Sequence, residues 1–334
     1  MILVTGGTGL IGSHLLFHLA KQGKKVRSNY RTKDSIKKVS EIFAFYTDNT
    51  QLKNQIEWLE ADITDISNLE CLFEGVEQVY HCAALISFDP KDYKKLERTN
   101  VQGTANVVNL CLKYGIKKLC YISSIAAIGP SMNGNMVTEE TEWNENMASV
   151  YGLTKYNAEL EVWRGSQEGL SIVIVNPGVV VGPGFWKSGS GSFFTYVSKE
   201  KKHFIPGGTG FVSVNDVVNA MSSLMDSEIQ SERFILVSEN RTYLEFFTKI
   251  AKKLGVKVPE KKLSKFMLEC FWRLDWVRSN IFGKRRRLSK NMAKGLLNQE
   301  QYNGDKIESA MPFAYEKLDE AIDFCCEKFN SSRA

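Results

Sequence analysis

A glycine-rich turn near the start of the chain narrows its fold more than any other feature. Thr5-Gly6-Gly7-Thr8-Gly9-Leu10-Ile11-Gly12 follows the apolar run Ile2-Leu3-Val4 and opens a helical stretch, Ser13 to Gln22, that Gly23 ends. Glycines 6, 9 and 12 form a G-x-x-G-x-x-G spacing, and 7, 9 and 12 satisfy G-x-G-x-x-G. Glycine is needed where the turn is tight, where backbone must approach a pyrophosphate, and where the helix must lie close on its strand. Backbone N–H groups at a helix N-terminus stabilise phosphate. Gly6, Thr8, Gly9, Leu10, Ile11 and Gly12 are therefore the expected dinucleotide contacts.

The rhythm downstream suits that reading. Short apolar strands at Val26–Tyr30, Ile56–Leu59, Val79–Ala83, Leu119–Ser123 and Ser171–Val175 alternate with helical stretches near Asp92–Tyr114 and Tyr151–Glu168. Such alternation predicts an α/β fold, a Rossmann-type doubly wound parallel sheet with helices on both faces. Beyond Val181 the pattern changes. Turn-rich breaks occur at Ser188-Gly189-Ser190-Gly191-Ser192 and Pro206-Gly207-Gly208-Thr209-Gly210, Val212 to Met221 reads as helix, and Arg233 to Val237 as a returning strand. The expected division is a dinucleotide domain over 1–182 plus 211–238 and a smaller, mostly helical substrate lobe over 183–210 plus 239–334.

At 334 residues, 43% apolar and 24% charged, the chain can bury a sizeable core. A net charge of +5 is weak grounds for a nucleic-acid partner and compatible with an anionic cofactor. Seven cysteines without a C-x-x-C pair read as reduced, buried thiols. Met1 runs straight into the first strand, leaving no room for a signal peptide, and a cytoplasmic address is expected. The uncharged stretch Gly169 to Trp186 carries Pro177 and Pro183, which argues for strand and loop rather than a membrane span.

Cofactor choice turns on the end of the second strand, where an acid would hold a ribose 2′-hydroxyl. Here Val26-Arg27-Ser28-Asn29-Tyr30 is followed by Arg31 and Lys33, with no acid before Asp34. Positive charge suits a 2′-phosphate, so NADP is expected, with NAD as the alternative and a merely solvated basic loop as the plainer reading of these residues. Asp62, after the third strand, is expected at the adenine edge.

Tyr151-Gly152-Leu153-Thr154-Lys155 sets a phenol and an ammonium four residues apart, on one helix face. A nearby ammonium is expected to lower the phenol's proton affinity, so that Tyr151 serves as acid or base at a carbon–oxygen centre. Tyr114/Lys118 and Tyr302/Lys306 share the spacing, but the first straddles Gly115 and runs into the next strand, and the second encloses Gly304 and lies far from the nucleotide-binding half. Only Tyr151/Lys155 follows a strand closed by hydroxyls, Ser123-Ser124.

Taken together, these segments resemble the extended short-chain dehydrogenase/reductase family. The matching motifs are Thr5 to Gly12, Asp62-Ile63, His81-Cys82-Ala83-Ala84, Asn100 before Gly103-Thr104, Tyr121-Ile122-Ser123-Ser124, Tyr151 to Lys155, and Asn176-Pro177-Gly178-Val179-Val180-Val181-Gly182-Pro183-Gly184. The resemblance implies that Ser124, rather than Ser123, joins Tyr151 and Lys155 in catalysis. It implies that Ile63, Ala83 and Ala84 line the adenosine side, that Pro177, Val179 and Val180 contact nicotinamide, and that Asn100 is structural or relays protons. Ile125 and Ala126 stand where the family's dehydratases carry acids, and strand Ile172–Val175 lacks the arginine of many epimerases. The nearest resemblance is to dihydroflavonol-4-reductase-like and 3β-hydroxysteroid-dehydrogenase-like members, implying carbonyl–alcohol interconversion. A sugar-nucleotide epimerase with retained NAD and a non-catalytic dinucleotide sensor remain as alternatives.

Two apolar stretches lie in the substrate lobe. Phe185, Trp186, Phe193, Phe194 and Tyr196 suggest an apolar wall over the nicotinamide, or else packing at the lobe junction. Leu263, Phe266, Met267, Cys270, Phe271, Leu274 and Val277 recur at helical spacing among Lys261, Lys262, Lys265, Arg273 and Arg278, with Lys284-Arg285-Arg286-Arg287 beyond. The favoured reading is a helix packed on the core; a lid or a membrane-surface helix are the others. The expected partner is a small, apolar or ring-containing substrate. A homodimer stays open, and no nucleic acid or metal is expected.

Overall fold

Strand β1 (Ile2–Thr5) lies in the interior of a sheet whose faces are both covered. The computed structural model describes residues 1–333 except 132, 133, 283–285, 287 and 289, and excludes the side chains of 291, 292 and 294. With β1 run β2 (Val26–Tyr30), β3 (Ile56–Glu60), β4 (Gln78–His81), β5 (Lys118–Ile122) and β6 (Ile172–Pro177). After the short β7 (Val179–Val181), β8 (His203–Phe204) and β9 (Gly208–Ser213) comes β10 (Glu232–Leu236), which returns to this sheet. The order is β10-β6-β5-β4-β1-β2-β3, and every pairing is parallel. This is the expected Rossmann-type α/β fold. The strand order reverses between β1 and β4, which opens the crevice where such sheets bind ligands.

Period-two alternation explains the two covered faces. Val4, Cys120, Ile122, Val173 and Val175 point into one core with Leu15, Leu16 and Leu19 of the helix Leu10–Lys21. Leu3, Leu119, Tyr121, Ile172 and Ile174 point into the other, against the helices Gly103–Lys113 and Val150–Gln167. The seven cysteines are all free.

A second sheet departs from the expected pattern. β9 pairs with β7 in parallel and with β11 (Glu239–Thr242) antiparallel, while β12 (Lys261–Lys262) pairs with β8. The helix expected from Val212 begins instead at Val214, because Ser213 caps it by accepting the Asp216 N–H. Phe211 and Val212 belong to β9 and are fully buried.

Four of the five aromatics of 185–196 pack into a core instead of forming a wall over the site, while Phe185 lies beneath Lys38 Nζ. Phe194 is buried in a third core; Trp186, Phe193 and Tyr196 pack on it with Phe246, Phe247 and Phe329. Their partners come from the helices Tyr243–Leu254 and Leu318–Ser331, and burial there satisfies their apolar area.

The helix Lys265–Ile281 reverses the other expectation. Only Leu268 and Ser279 are buried along it, while Phe266, Leu274 and Ile281 face solvent. Among the described residues, no helix is long and apolar enough to cross a membrane.

Candidate active site

The glycine turn is locked from both sides. Gly6 adopts a positive φ of 71°, and a Cβ there would stand 2.5 Å from the Ala83 backbone nitrogen. Its N–H donates to Asn29 Oδ1 at 3.0 Å, while Asn29 Nδ2 donates to the Ala61 carbonyl at 2.8 Å. Asn29 thus ties the turn to the ends of β2 and β3, a role invisible in the sequence beyond a polar residue in a buried strand.

The helix Leu10–Lys21 then starts at Gly9 with no side-chain cap and no acid in its first turn. Thr8, Gly9, Leu10, Ile11 and Gly12 form its leading edge, with the positive end of the helix dipole open at Gly9, where a Cβ would meet nothing closer than 3.4 Å. An uncapped helix end behind an enforced turn fits a pyrophosphate.

Around this cradle the other expected contacts differ in character. Arg31, exposed after β2, stands with Nη1 3.9 Å from Asp62 Oδ2. Asp62 Oδ1 also accepts from the Thr64 N–H and hydroxyl, both at 2.9 Å. Ala83 lies half-buried against the turn, with Ala84 next to it and exposed. Ile63 faces inward: it is buried against Gly103, and its carbonyl accepts from Asn106 Nδ2 at 3.0 Å. Its side chain is core, which a motif match could not reveal. Pro177 ends β6, buried, and Val179 and Val180 are half-buried in β7.

Tyr151 and Lys155 project from the helix Val150–Gln167, which the Ser149 hydroxyl caps by accepting the Gly152 N–H at 3.0 Å. Gly152 lets the helix approach the Ser124 strand end, since a Cβ there would lie 2.6 Å from the Ala126 carbonyl oxygen. Both side chains are buried. Tyr151 is pushed up to about 12 by burial, which its hydrogen bond with Ser124 partly offsets. Ser124 also accepts from the Ala126 N–H at 3.2 Å. Ser123 turns the other way and donates to Glu159 at 2.6 Å, leaving Ser124 as the hydroxyl on Tyr151.

Lys155 does not act on the phenol as expected. Its Nζ donates to the Tyr121 hydroxyl and the Ile122 carbonyl, each at 2.6 Å. Burial pulls it down to about 7, partly offset by the charge of Glu159. A buried ammonium takes the nearest acceptors, and those lie on β5. Tyr121 in turn bonds Thr104, which meets His81 Nε2 at 3.0 Å, and His81 Nδ1 meets Thr5 Oγ1 at 2.6 Å. A continuous polar chain therefore links the lysine to the first strand.

Buried polar groups brace this pocket. Glu159, one turn beyond Lys155, pairs with Arg233 at 3.1 Å and accepts from Asn176 Nδ2 at 2.9 Å. Asn176 Nδ2 also donates to the Ser124 carbonyl at 3.1 Å. Asn100 sits in a π-helical turn, Glu97–Gln102, and bonds both backbone groups of Leu85 and the Thr154 hydroxyl. Such turns often mark functional sites. The other tyrosine–lysine pairs are split: Tyr114 bonds Glu70, Lys118 binds carbonyls of Leu224 and Ser227, and Lys306 pairs with Glu232.

A family model described as the NAD dependent epimerase/dehydratase family matches residues 2–236. The chain belongs to this family. It is accordingly an NAD(P)-dependent enzyme of the extended short-chain dehydrogenase/reductase type. A Synechocystis sp. protein described as a putative dihydroflavonol 4-reductase is 29% identical over 285 residues, covering 83% of this chain and 78% of that one. The solved structure of gox2253 superposes with a TM-score of 0.82 at 26% identity, over 99% of this chain and 98% of the other. UDP-glucose 4-epimerase from Thermotoga maritima, solved with UDP-glucose, gives a TM-score of 0.78 at 21% identity, over 100% and 99%. That last likeness is one of fold. Within the epimerase/dehydratase family the fold hosts several chemistries, so the substrate reaction must be argued from side chains.

Proposed function

We propose that this enzyme is an NADP-dependent reductase of an apolar, ring-bearing carbonyl compound, with Tyr151 as proton donor and Ser124 and Lys155 beside it. The observation that carries the reading is the buried Ser124–Tyr151 pair with Lys155 one helical turn away. When bound, the nicotinamide dinucleotide supplies the hydride for reduction, or accepts it in the reverse direction. Burial keeps Tyr151 protonated at neutral pH, the state required of the proton donor in a reduction. The Ser124 hydroxyl, bonded to Tyr151, orients the carbonyl oxygen that takes the proton. Lys155 holds Tyr121 and the end of β5, and in this reading its ammonium also donates to the nicotinamide ribose. Gly6 to Gly12 hold the pyrophosphate, and exposed Arg31 takes the 2′-phosphate. Residues 183–210 and 239–334 supply the substrate lobe in this reading, and a homodimer and a cytoplasmic address remain compatible with it.

Support for an apolar substrate comes from the loop after β4. Phe88 sets its ring edge-on to Tyr151 with centroids 5.5 Å apart, and Ile86 is exposed two residues earlier. The named activity of the Synechocystis relative, reduction of a dihydroflavonol, is chemistry of the same kind. The test is Tyr151→Phe. Turnover should fall by about 10² to 10⁴ while NADPH affinity stays near wild type. Turnover within about threefold of wild type removes Tyr151 from the chemistry.

A further inference from the structure

The helix Lys265–Ile281 has two opposite faces. Leu268, Trp272, Asp275 and Ser279 fall at i, i+4, i+7 and i+11, one stripe. It is this stripe that docks. Leu268 and Ser279 are buried, the Ser279 hydroxyl and carbonyl accept from Lys91 Nζ at 3.1 and 3.4 Å, and Asp275 accepts the Leu288 N–H at 2.9 Å. Phe266, Cys270, Leu274, Val277 and Ile281 fall at i, i+4, i+8, i+11 and i+15, on the far side. Phe266 is 77% exposed, Leu274 65% and Ile281 69%, and Phe282 continues the patch at 70%. Scattered exposed apolar residues need no explanation, but a contiguous stripe four turns long marks an interaction surface.

Charge identifies what the stripe faces. Between Lys261 and Lys290 the sequence holds ten basic residues and two acidic ones, net +8, against +5 for the whole chain; of these, Lys284, Arg285 and Arg287 lie outside the described residues. The remainder of the molecule is therefore net −3, and the excess is confined to this segment. An apolar stripe flanked by lysine and arginine is the pattern of a helix that lies in the headgroup region of an anionic bilayer. A second copy of this chain would bring the same +8 against itself. We propose that this helix docks the enzyme onto an anionic lipid surface without spanning it.

Placement gives the docking a use. The Arg286 N–H donates to Asp89 Oδ2 at 2.9 Å, and Lys91 holds Ser279, so the segment is fastened to the loop after β4. The same loop presents Ile86 and places Phe88 on Tyr151. A bilayer engaged by the helix lies one loop from the candidate acid, and an apolar substrate can enter from the lipid. That delivery rests on the functional reading above; the docking surface does not.

The test is flotation of the full chain with vesicles of phosphatidylcholine, with and without phosphatidylglycerol. Binding should be at least about tenfold stronger to the anionic vesicles and should weaken with salt. Leu274→Asp with Ile281→Asp should lower it at least about tenfold, with the melting temperature and NADPH turnover on a water-soluble ketone unchanged. The proposal is overturned by absent vesicle binding, by binding that ignores the double substitution, or by a concentration-dependent dimer that the substitution dissolves. Loss of turnover with vesicle binding intact would instead count against the functional reading alone.

Discussion

The sheet half and the C-terminal lobe of this molecule are held together differently. Around Tyr151 the buried side chains are largely polar and interlocked: Ser123, Asn176 and Arg233 all meet on Glu159. In the lobe, stability comes from rings, with Phe211 stacked on Phe246 at 4.5 Å and Phe194 set against Trp186 and Phe329. Elsewhere in the lobe, the helix Lys265–Ile281 leaves a large apolar face exposed among the described residues. A substitution in the sheet half should therefore alter chemistry or titration. One in the aromatic core should alter stability, and one on the outer helix face should alter neither in solution.

The largest effect on stability is expected at the aromatic core. Phe194→Ala should cost about 3–5 kcal/mol in urea unfolding while leaving NADPH affinity unchanged. A cost below about 1 kcal/mol would mean the lobe core is not as packed as its rings suggest.

Lys155 distinguishes the sheet half by its pH dependence. Burial lowers the folded-state value to about 7 from 10.5. Between those pH values the unfolded chain holds a proton that the folded chain has released. Wild-type stability should therefore rise with pH across that window, and the penalty is greatest below it. Measured against Lys155→Met, whose other titrations cancel, the unfolding free energy should gain on the order of 2–4 kcal/mol from neutral to pH 10. A flat difference would show that the ammonium is not desolvated.

Arg31 tests the sheet half at its surface. Arg31→Ala should weaken NADPH by about 1.5–3 kcal/mol, roughly ten- to hundredfold, and barely change NADH. Tighter wild-type binding of NADH than NADPH would refute the assignment of Arg31. The smallest effect should come from the outer helix: Leu274→Asp should shift stability by no more than about 0.5 kcal/mol, as at other exposed positions. A large loss there would mean the stripe is covered, and would erase the contrast with Phe194.

The sheet was legible because its signals are local. Period-two burial in β5 and β6, the glycine turn and the Tyr151/Lys155 spacing each lie within a few residues. What sequence could not convey was which distant partner each group meets. Four of the aromatics of 185–196 find partners such as Phe246 and Phe329, fifty or more residues away, and so become core. Among the described residues, the stripe of Lys265–Ile281 stays exposed. Lys155 likewise bonds Tyr121 rather than Tyr151, because the strand end brings acceptors closer than the helix does. Glu159 and Asn29 carry no motif, and only their hydrogen bonds show them bracing the pocket and the turn.

The central claim is net reduction of a carbonyl by free NADPH. The direct measurement is absorbance of added NADPH with purified enzyme and a panel of aromatic and steroidal ketones, alongside UDP-glucose. The account predicts stoichiometric NADPH loss and alcohol formation with a ketone, abolished with UDP-glucose alone. Conversion of UDP-glucose to its epimer with no net change in free NADPH, and no reaction with any ketone, would contradict it.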